Sequence, residues 1–402
     1  MSGALVDFGL HVIFAGALLV YFNVLQFGFP VLVVSTIAAY AALFAGFCYA
    51  ARLLTTSLVL VPFIALKLQL KLVSLFAVYG ARGFKPTFPE STLAYELTTS
   101  MMRYMFVEFG ETIVNDYTHL MREPFAMHGR LILQSNCRKH NTAPEMLLAN
   151  GMEHTWLRDP ETKEHRIVVI HYHGGGYCIS DPLQDVELAN QTHSILKQIL
   201  KEQYQLEVSV DVLLVNYRKA PEYLYPTALN DCFDMYKYVL KHESVAPAHV
   251  VFSGDSAGAE MSMTNCMRLR KESPELQPAA ALCIATYLRS VTDPEKRRLA
   301  SAINQSLRDL PPIFLQWGKL ERFYEQGLRF KVKADAEGVT NMELDILKNM
   351  VHDPVMLPTA VSPAAEKGIR NGCAFAAKHL ANALRLRSVD PEPEPHNINN
   401  MW

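Results

Sequence analysis

The sequence predicts an α/β protein: a mostly parallel sheet with helices on both faces, preceded by apolar N-terminal segments suited to a membrane. Three observations carry this expectation. From Met152 onward, β-branched runs alternate with helix-forming stretches, the pattern of a parallel sheet covered on both sides. Gly254-Asp255-Ser256-Ala257-Gly258 stands between an apolar run, Ala248 to Phe252, and a helix-forming stretch, Ala259 to Arg270. From Phe8 to Ala51 there is no Asp, Glu, Lys or Arg.

That uncharged run of 44 residues is about twice the length one membrane-spanning helix needs. Gly28-Phe29-Pro30 interrupts it, so it reads as two spans, roughly 9–28 and 31–51, making residues 1–52 a membrane anchor. No basic region precedes it and it is too long for a signal peptide. Thr56 to Ala77 is also apolar but contains Lys67 and Lys71. A central lysine costs about 2.5–3.5 kcal/mol on insertion scales. Residues 53–87 are therefore expected to hold an interfacial amphipathic helix and a linker, with a third span as the alternative.

Sidedness follows from the basic residues. None precedes the first span, whereas Arg52, Lys67, Lys71, Arg82 and Lys85 follow the second. With two spans this places both ends, and the large domain, in the cytosol; a third span would reverse it. The expected location is the endoplasmic reticulum or another endomembrane, with the lipid bilayer as partner. Two glycosylation sequons, Asn190-Gln191-Thr192 and Asn304-Gln305-Ser306, matter only if the domain is lumenal. Seven cysteines without paired or metal-like spacing agree with free thiols in a reducing compartment. A net charge of −2 argues against a nucleic-acid partner.

The large domain is expected over 88–388. Residues 88–127 read as helical, with Leu93, Leu97, Met101, Met105 and Phe109 four apart. Then come strand 166–172, helix 184–203, strand 209–215, helix 227–241, strand 248–253, helix 257–270, strands 279–286 and 312–317, helix 322–337, strand 342–347 and helix 362–385. The remainder, 389–402, is rich in Pro, Glu and Asn and reads as a disordered tail.

Strand, G-x-S-x-G, helix is the setting of a nucleophile elbow. The turn is tight enough that the positions two before and two after the serine must be very small, and Gly254 and Gly258 satisfy this. The elbow presents Ser256 at a helix N-terminus, where backbone amides and the helix dipole favour developing negative charge. Upstream, the β-branched run Arg166 to Tyr172 opens into His173-Gly174-Gly175-Gly176-Tyr177. Three glycines let backbone approach a ligand closely, which is how a loop supplies oxyanion donors opposite an elbow.

His-Gly-Gly-Gly, then Tyr217-Arg218-Lys219-Ala220-Pro221-Glu222, then Gly-Asp-Ser-Ala-Gly resembles the hormone-sensitive-lipase group of α/β-hydrolases, which includes arylacetamide deacetylases and steryl acetyl hydrolases. The resemblance covers roughly residues 150 to 385. It implies an α/β-hydrolase fold with a helical cap to which helices from 88–127 contribute. In this fold the catalytic order is Ser, acid, His. Of His352, His379 and His396, the last is in the tail and His379 lies in an amphipathic helix, leaving His352 as the base. Gly318-Lys319-Leu320-Glu321 stands where the group has Gly-x-x-Asp, implying Glu321 as the acid, with Glu325 one helical turn later as the alternative. Oxyanion donors are expected from Gly175, Gly176 and Ala257, with help from Gly174.

His173 is expected to brace the glycine loop, and Arg218, Glu222 and Asp231 to form a polar scaffold beneath it. Asp255 reads as structural, and His171 and Cys178 as core residues. The chain departs from the group in continuing Ala259-Glu260 after the elbow, where Gly-Asn is usual, and in a short segment between Thr286 and Pro311 where the group carries part of its lid. The function expected is that of a membrane-anchored serine esterase or lipase acting on hydrophobic esters, with no cofactor and no metal. The alternative is a catalytically silent, membrane-tethered binding protein on the same fold.

Overall fold

The computed structural model describes residues 29–52, 54–55, 57–88, 91–116, 118–286, 302–359 and 361–387. The expected first span, 9–28, the tail 389–402 and residues 287–301 of the shortened segment lie outside the described residues. The chain forms two compact units, divided at Phe125, with the short stretch 360–362 belonging to the first.

In the first unit, helix α1 is Phe29–Arg52, α2 is Val61–Ala81 and α3 is Leu93–Asp116. Helix α1 takes in the expected second span. Among the described residues, α2 is the helix long and apolar enough to cross a membrane. It has three sides. Ile64, Ala65 and Leu68 are buried. Phe63, Leu66, Leu70 and Val73, spaced to fall on one stripe, are exposed. Between them, Lys67 pairs with Glu108 of α3 at 2.7 Å and Lys71 lies 5.6 Å from the centre of the Tyr104 ring. The two lysines thus take partners on the neighbouring helix. Of the apolar positions expected on α3, Leu97 and Met105 are buried. The helical stretch expected over 88–127 is divided: α3 ends at Asp116, a short 3-10 turn spans Thr118–Met121, and α4 runs Arg122–His140.

The second unit is built on eight strands: β1 Ala143–Ala149, β2 Met152–Arg158, β3 His165–Tyr172, β4 Val208–Val215, β5 Val250–Asp255, β6 Ala280–Ile284, β7 Ile313–Gly318 and β8 Met342–Leu347. Their order in the sheet is β1-β2-β4-β3-β5-β6-β7-β8. The hairpin β1–β2 is antiparallel and joins β4 antiparallel; every pairing from β4 to β8 is parallel. Helices α5 Val186–Tyr204, α6 Thr227–His242, α7 Ala257–Glu272, α8 Tyr324–Ala336 and α9 Pro363–Arg387 complete it. Helices α5 and α9 pack together, as do α6 and α7.

All eight residues of β4 and all six of β5 are buried, as in a sheet covered on both faces. One core joins Val168, Ile170, Tyr172 and Phe252 of the sheet to Phe233 and Tyr236 of α6 and to Met261 and Met263 of α7. Strand β5 begins two residues later than expected, because Pro247–His249 form a 3-10 turn.

Register decides where loops meet. Tyr172 at the end of β3 pairs with Gly254 near the end of β5, so the glycine loop and the elbow leave the sheet at one level. Gly318 pairs with Leu347, so the turn after β7 and the loop after β8 also emerge together. Asn190 lies on α5 and is buried, its side chain bonded to Thr142 and to the Val186 carbonyl. That sequon is sealed in the folded chain, whereas Asn304 is exposed.

Candidate active site

Ser256 sits between β5 and α7 with φ 48° and ψ −111°, outside the regions an ordinary residue occupies without strain. The glycines on either side allow the turn. A Cβ on Gly258 would lie 1.8 Å from the Tyr172 carbonyl oxygen, and one on Gly254 would lie 2.4 Å from the Gly258 backbone. The Ser256 amide donates to the Ile284 carbonyl at 2.8 Å, fastening the elbow to β6.

His352 follows β8 and reaches both neighbours. Its Nε2 lies 2.9 Å from Ser256 Oγ and its Nδ1 2.6 Å from Glu321 Oε2. Glu321 is buried, and its other oxygen accepts from the Gly318 amide at 2.8 Å. The Lys319 and Leu320 amides donate to the carbonyls of Leu347 and Met350, lacing the turn that carries the acid to the loop that carries the histidine. Glu325 is exposed in the first turn of α8. His379 lies on α9, and His396 lies outside the described residues.

On the opposite side stands the glycine loop. Gly175 and Gly176 have φ of 106° and 60°, a path that other residues resist. The Gly174 amide donates to Asp255 Oδ1 at 2.8 Å. The expectation that Gly174 helps to bind an oxyanion is corrected: its N–H is committed to Asp255. Gly175, Gly176 and Ala257 remain as candidate donors. Ala257 opens α7, and the first amides of a helix have no partner within it.

His173 is fully buried and bonds through Nδ1 to the Gly174 carbonyl at 2.7 Å. Its ring stacks on Tyr217 at 4.2 Å, and the Tyr217 hydroxyl donates to the His173 carbonyl at 2.8 Å. Burial, and then the Lys219 charge, hold its pKa well below the ordinary imidazole value. It is a neutral brace. Arg218 and Asp231 pair at 2.6 Å, but Arg218 and Glu222 are exposed. The groups beneath the loop are Tyr217 and Asp255.

His171 is more than a core residue. Its Nε2 lies 3.0 Å from Asp185 Oδ2 and 3.5 Å from Asp255 Oδ1, and its Nδ1 3.1 Å from Ser253 Oγ. Burial alone would lower its pKa, but hydrogen bonds and charges from Asp185 and Asp255 outweigh this and raise it to about 9. Among the described residues, these three are the group close enough to hold a metal ion. Their short contacts are those of an imidazolium between two carboxyl groups.

Two more groups adjoin the site. Glu260, in place of the usual asparagine, is buried and accepts from the Tyr177 hydroxyl at 2.7 Å, tying α7 to the glycine loop. Asp353 places Oδ2 3.1 Å from His352 Nε2. Its adjacency to His352 in sequence was the available signal, but Asp-Pro reads first as a turn.

Residues 169–298 match the family model of the alpha/beta hydrolase fold. An esterase of Acinetobacter venetianus is 27% identical over 203 residues, 43% of this chain and 62% of that protein. Human hormone-sensitive lipase is 27% identical over 128 residues, 31% of this chain and 11% of the lipase. The chain thus spans less than two thirds of the length of these curated relatives. The crystal structure of an esterase/lipase from an uncultured bacterium superposes with a TM-score of 0.52 at 21% identity, covering 63% of this chain and 92% of that one, which is a likeness of fold.

Proposed function

We propose that this chain, an α/β-hydrolase of the hormone-sensitive-lipase-like kind, is a membrane-anchored serine carboxylic-ester hydrolase. The observation that carries the reading is the unbroken path Ser256–His352–Glu321 at hydrogen-bond distances. Ser256 Oγ attacks the ester carbonyl and His352 Nε2 takes its proton. The Glu321 carboxylate holds the imidazole in the tautomer that leaves Nε2 free and stabilises the imidazolium that follows. Negative charge on the former carbonyl oxygen is met by the Gly175, Gly176 and Ala257 amides. Each such donor is worth about 10²–10³-fold in rate. The imidazolium returns its proton to the departing alcohol, and water, activated by the same histidine, releases the acid.

The substrates proposed are hydrophobic, lipid-like esters. A residence at the bilayer favours them, since each buried CH₂ contributes about 0.8 kcal/mol. Support for membrane residence comes from the 44-residue uncharged run and from the exposed apolar stripe of α2. Labelling with a fluorophosphonate, with wild type beside Ser256→Ala, tests the reading. Label on wild type alone supports it. No label on either leaves the silent binding protein.

A further inference from the structure

His352 has a second neighbour on the nitrogen that faces the nucleophile. Nε2 lies 2.9 Å from Ser256 Oγ and 3.1 Å from Asp353 Oδ2, while Nδ1 is held by Glu321. A neutral imidazole whose Nδ1 proton points to Glu321 presents only a lone pair at Nε2. A carboxylate oxygen 3.1 Å from that nitrogen stabilises the charged imidazolium over the neutral ring. The resting pair it favours is imidazolium beside carboxylate. In that state Nε2 has no lone pair to receive the Ser256 proton.

We propose that Asp353 is a positioning residue for the hydrolysis described above, holding the resting His352 in a proton-loaded, unreactive state from which one proton must depart before Ser256 can be activated. The inference rests on the assignment of His352 as general base. The proton leaves to hydroxide or buffer base in solvent; no covalent bond changes.

Local structure supports a directed role. Asp353 has φ 50° and ψ 56°, a left-handed conformation that L-residues adopt only at a cost. Its second oxygen, Oδ1, is buried and unpartnered in the described structure. Glu321 from the turn after β7 touches this pair, and Asp255 from the end of β5 and Asp185 before α5 lie within electrostatic reach of it, all carboxyl groups. Burial would lower the His352 pKa, but Asp353 first and then Glu321 and Asp255 raise it to about 9. Burial raises Asp353 well above the carboxylate range, against the pull of His352.

The test compares wild type with Asp353→Asn and Asp353→Gly, both tolerant of a left-handed backbone. For each, kcat/KM on a soluble ester is measured from pH 5 to 10, and the imidazole titration of His352 is followed by NMR on histidine-labelled protein. Wild type should show an acid limb on the alkaline side of neutrality. Both variants should move that limb, and the His352 titration, down by about one unit or more, so that kcat/KM at pH 7 rises roughly tenfold. An acid limb already at ordinary imidazole pH in wild type, or a titration unmoved in both variants, overturns the proposal. Titration needs no turnover, so it decides the matter even if no ester is hydrolysed. Absence of hydrolysis and of fluorophosphonate labelling would instead overturn the assignment of function.

Discussion

The backbone amide of Gly174 donates to the carboxylate of Asp255 across 2.8 Å, joining the glycine loop after β3 to the residue before the nucleophile. The two candidate halves of the site, oxyanion donors and elbow, are therefore one hydrogen-bonded unit. Packing is equally close: a Cβ on Gly174 would fall 2.1 Å from Asp255 Oδ2.

Gly174→Ala should consequently cost about 10²–10³-fold in kcat, the price of misplacing the neighbouring donors, although Gly174 donates nothing to substrate. KM for a small ester should change little. The check is steady-state kinetics on protein whose circular dichroism matches wild type. Near wild-type kcat would show that the loop does not depend on this contact.

Glu321→Gln should lower kcat by roughly 10³–10⁴-fold, since a carboxamide can neither enforce the imidazole tautomer nor stabilise its charged form. Glu325→Gln should match wild type, because Glu325 points to solvent from α8. Parallel p-nitrophenyl ester assays of the two variants decide. Comparable losses in both would mean that the charge of the region matters rather than one carboxylate.

The buried group His171, Asp185 and Asp255 predicts how stability varies with pH. The folded pKa of His171 is raised to about 9 by its carboxyl partners. Its ordinary value is about 6.5. A raised pKa means that the folded state holds the proton more tightly than the unfolded one. The resulting stabilisation is fully present below about pH 6.5 and is lost as pH rises through about 9. His171→Gln should abolish this portion of the alkaline decline and cost about 3–5 kcal/mol near neutrality, because it leaves buried carboxyl groups without their cation. Denaturant unfolding at several pH values gives the difference between wild type and variant. A difference constant from pH 6 to 10 would contradict a charged His171.

How much was legible depended on how local the determinant was. The elbow was readable because its demand is steric and its residues are consecutive: a Cβ at Gly258 would collide with the Tyr172 carbonyl. Strands β3 to β7 were readable because burial on both faces writes mostly apolar runs, and β8 because Met342, Leu344 and Ile346 alternate with Glu343 and Asp345. The hairpin β1–β2 was not readable, since β1 is largely exposed on both faces and Ala143 to Ala149 shows no such run. His171 is buried as expected, but its charge environment was not legible, for a different reason. Its partners arrive from Asp185 and Asp255, 14 and 84 positions away, and nothing in the segment His171-Tyr172-His173 says which histidine will be charged. The two are opposite: His171 lies between carboxyl groups, and His173 lies against an aromatic ring and a carbonyl.

The last prediction concerns the membrane. Helix α2 exposes Phe63, Leu66, Leu70 and Val73 along one stripe, while Lys67 is paired with Glu108. An aqueous surface gives such a stripe no partner, and a bilayer gives it one. Sodium carbonate should leave the protein in the membrane pellet; recovery in the supernatant would mean that the apolar helices are covered by protein. Sidedness is a separate measurement. If the large domain faces the cytosol, protease added to sealed microsomes should digest it without detergent, and Asn304 should carry no glycan. Asn190 cannot report on this, because its side chain is sealed against Thr142 in the folded chain. A mobility shift with endoglycosidase that disappears in Asn304→Gln would place the domain in the lumen. That outcome would imply one or three spans; with three, α2, its lysine neutralised by Glu108, would be the third.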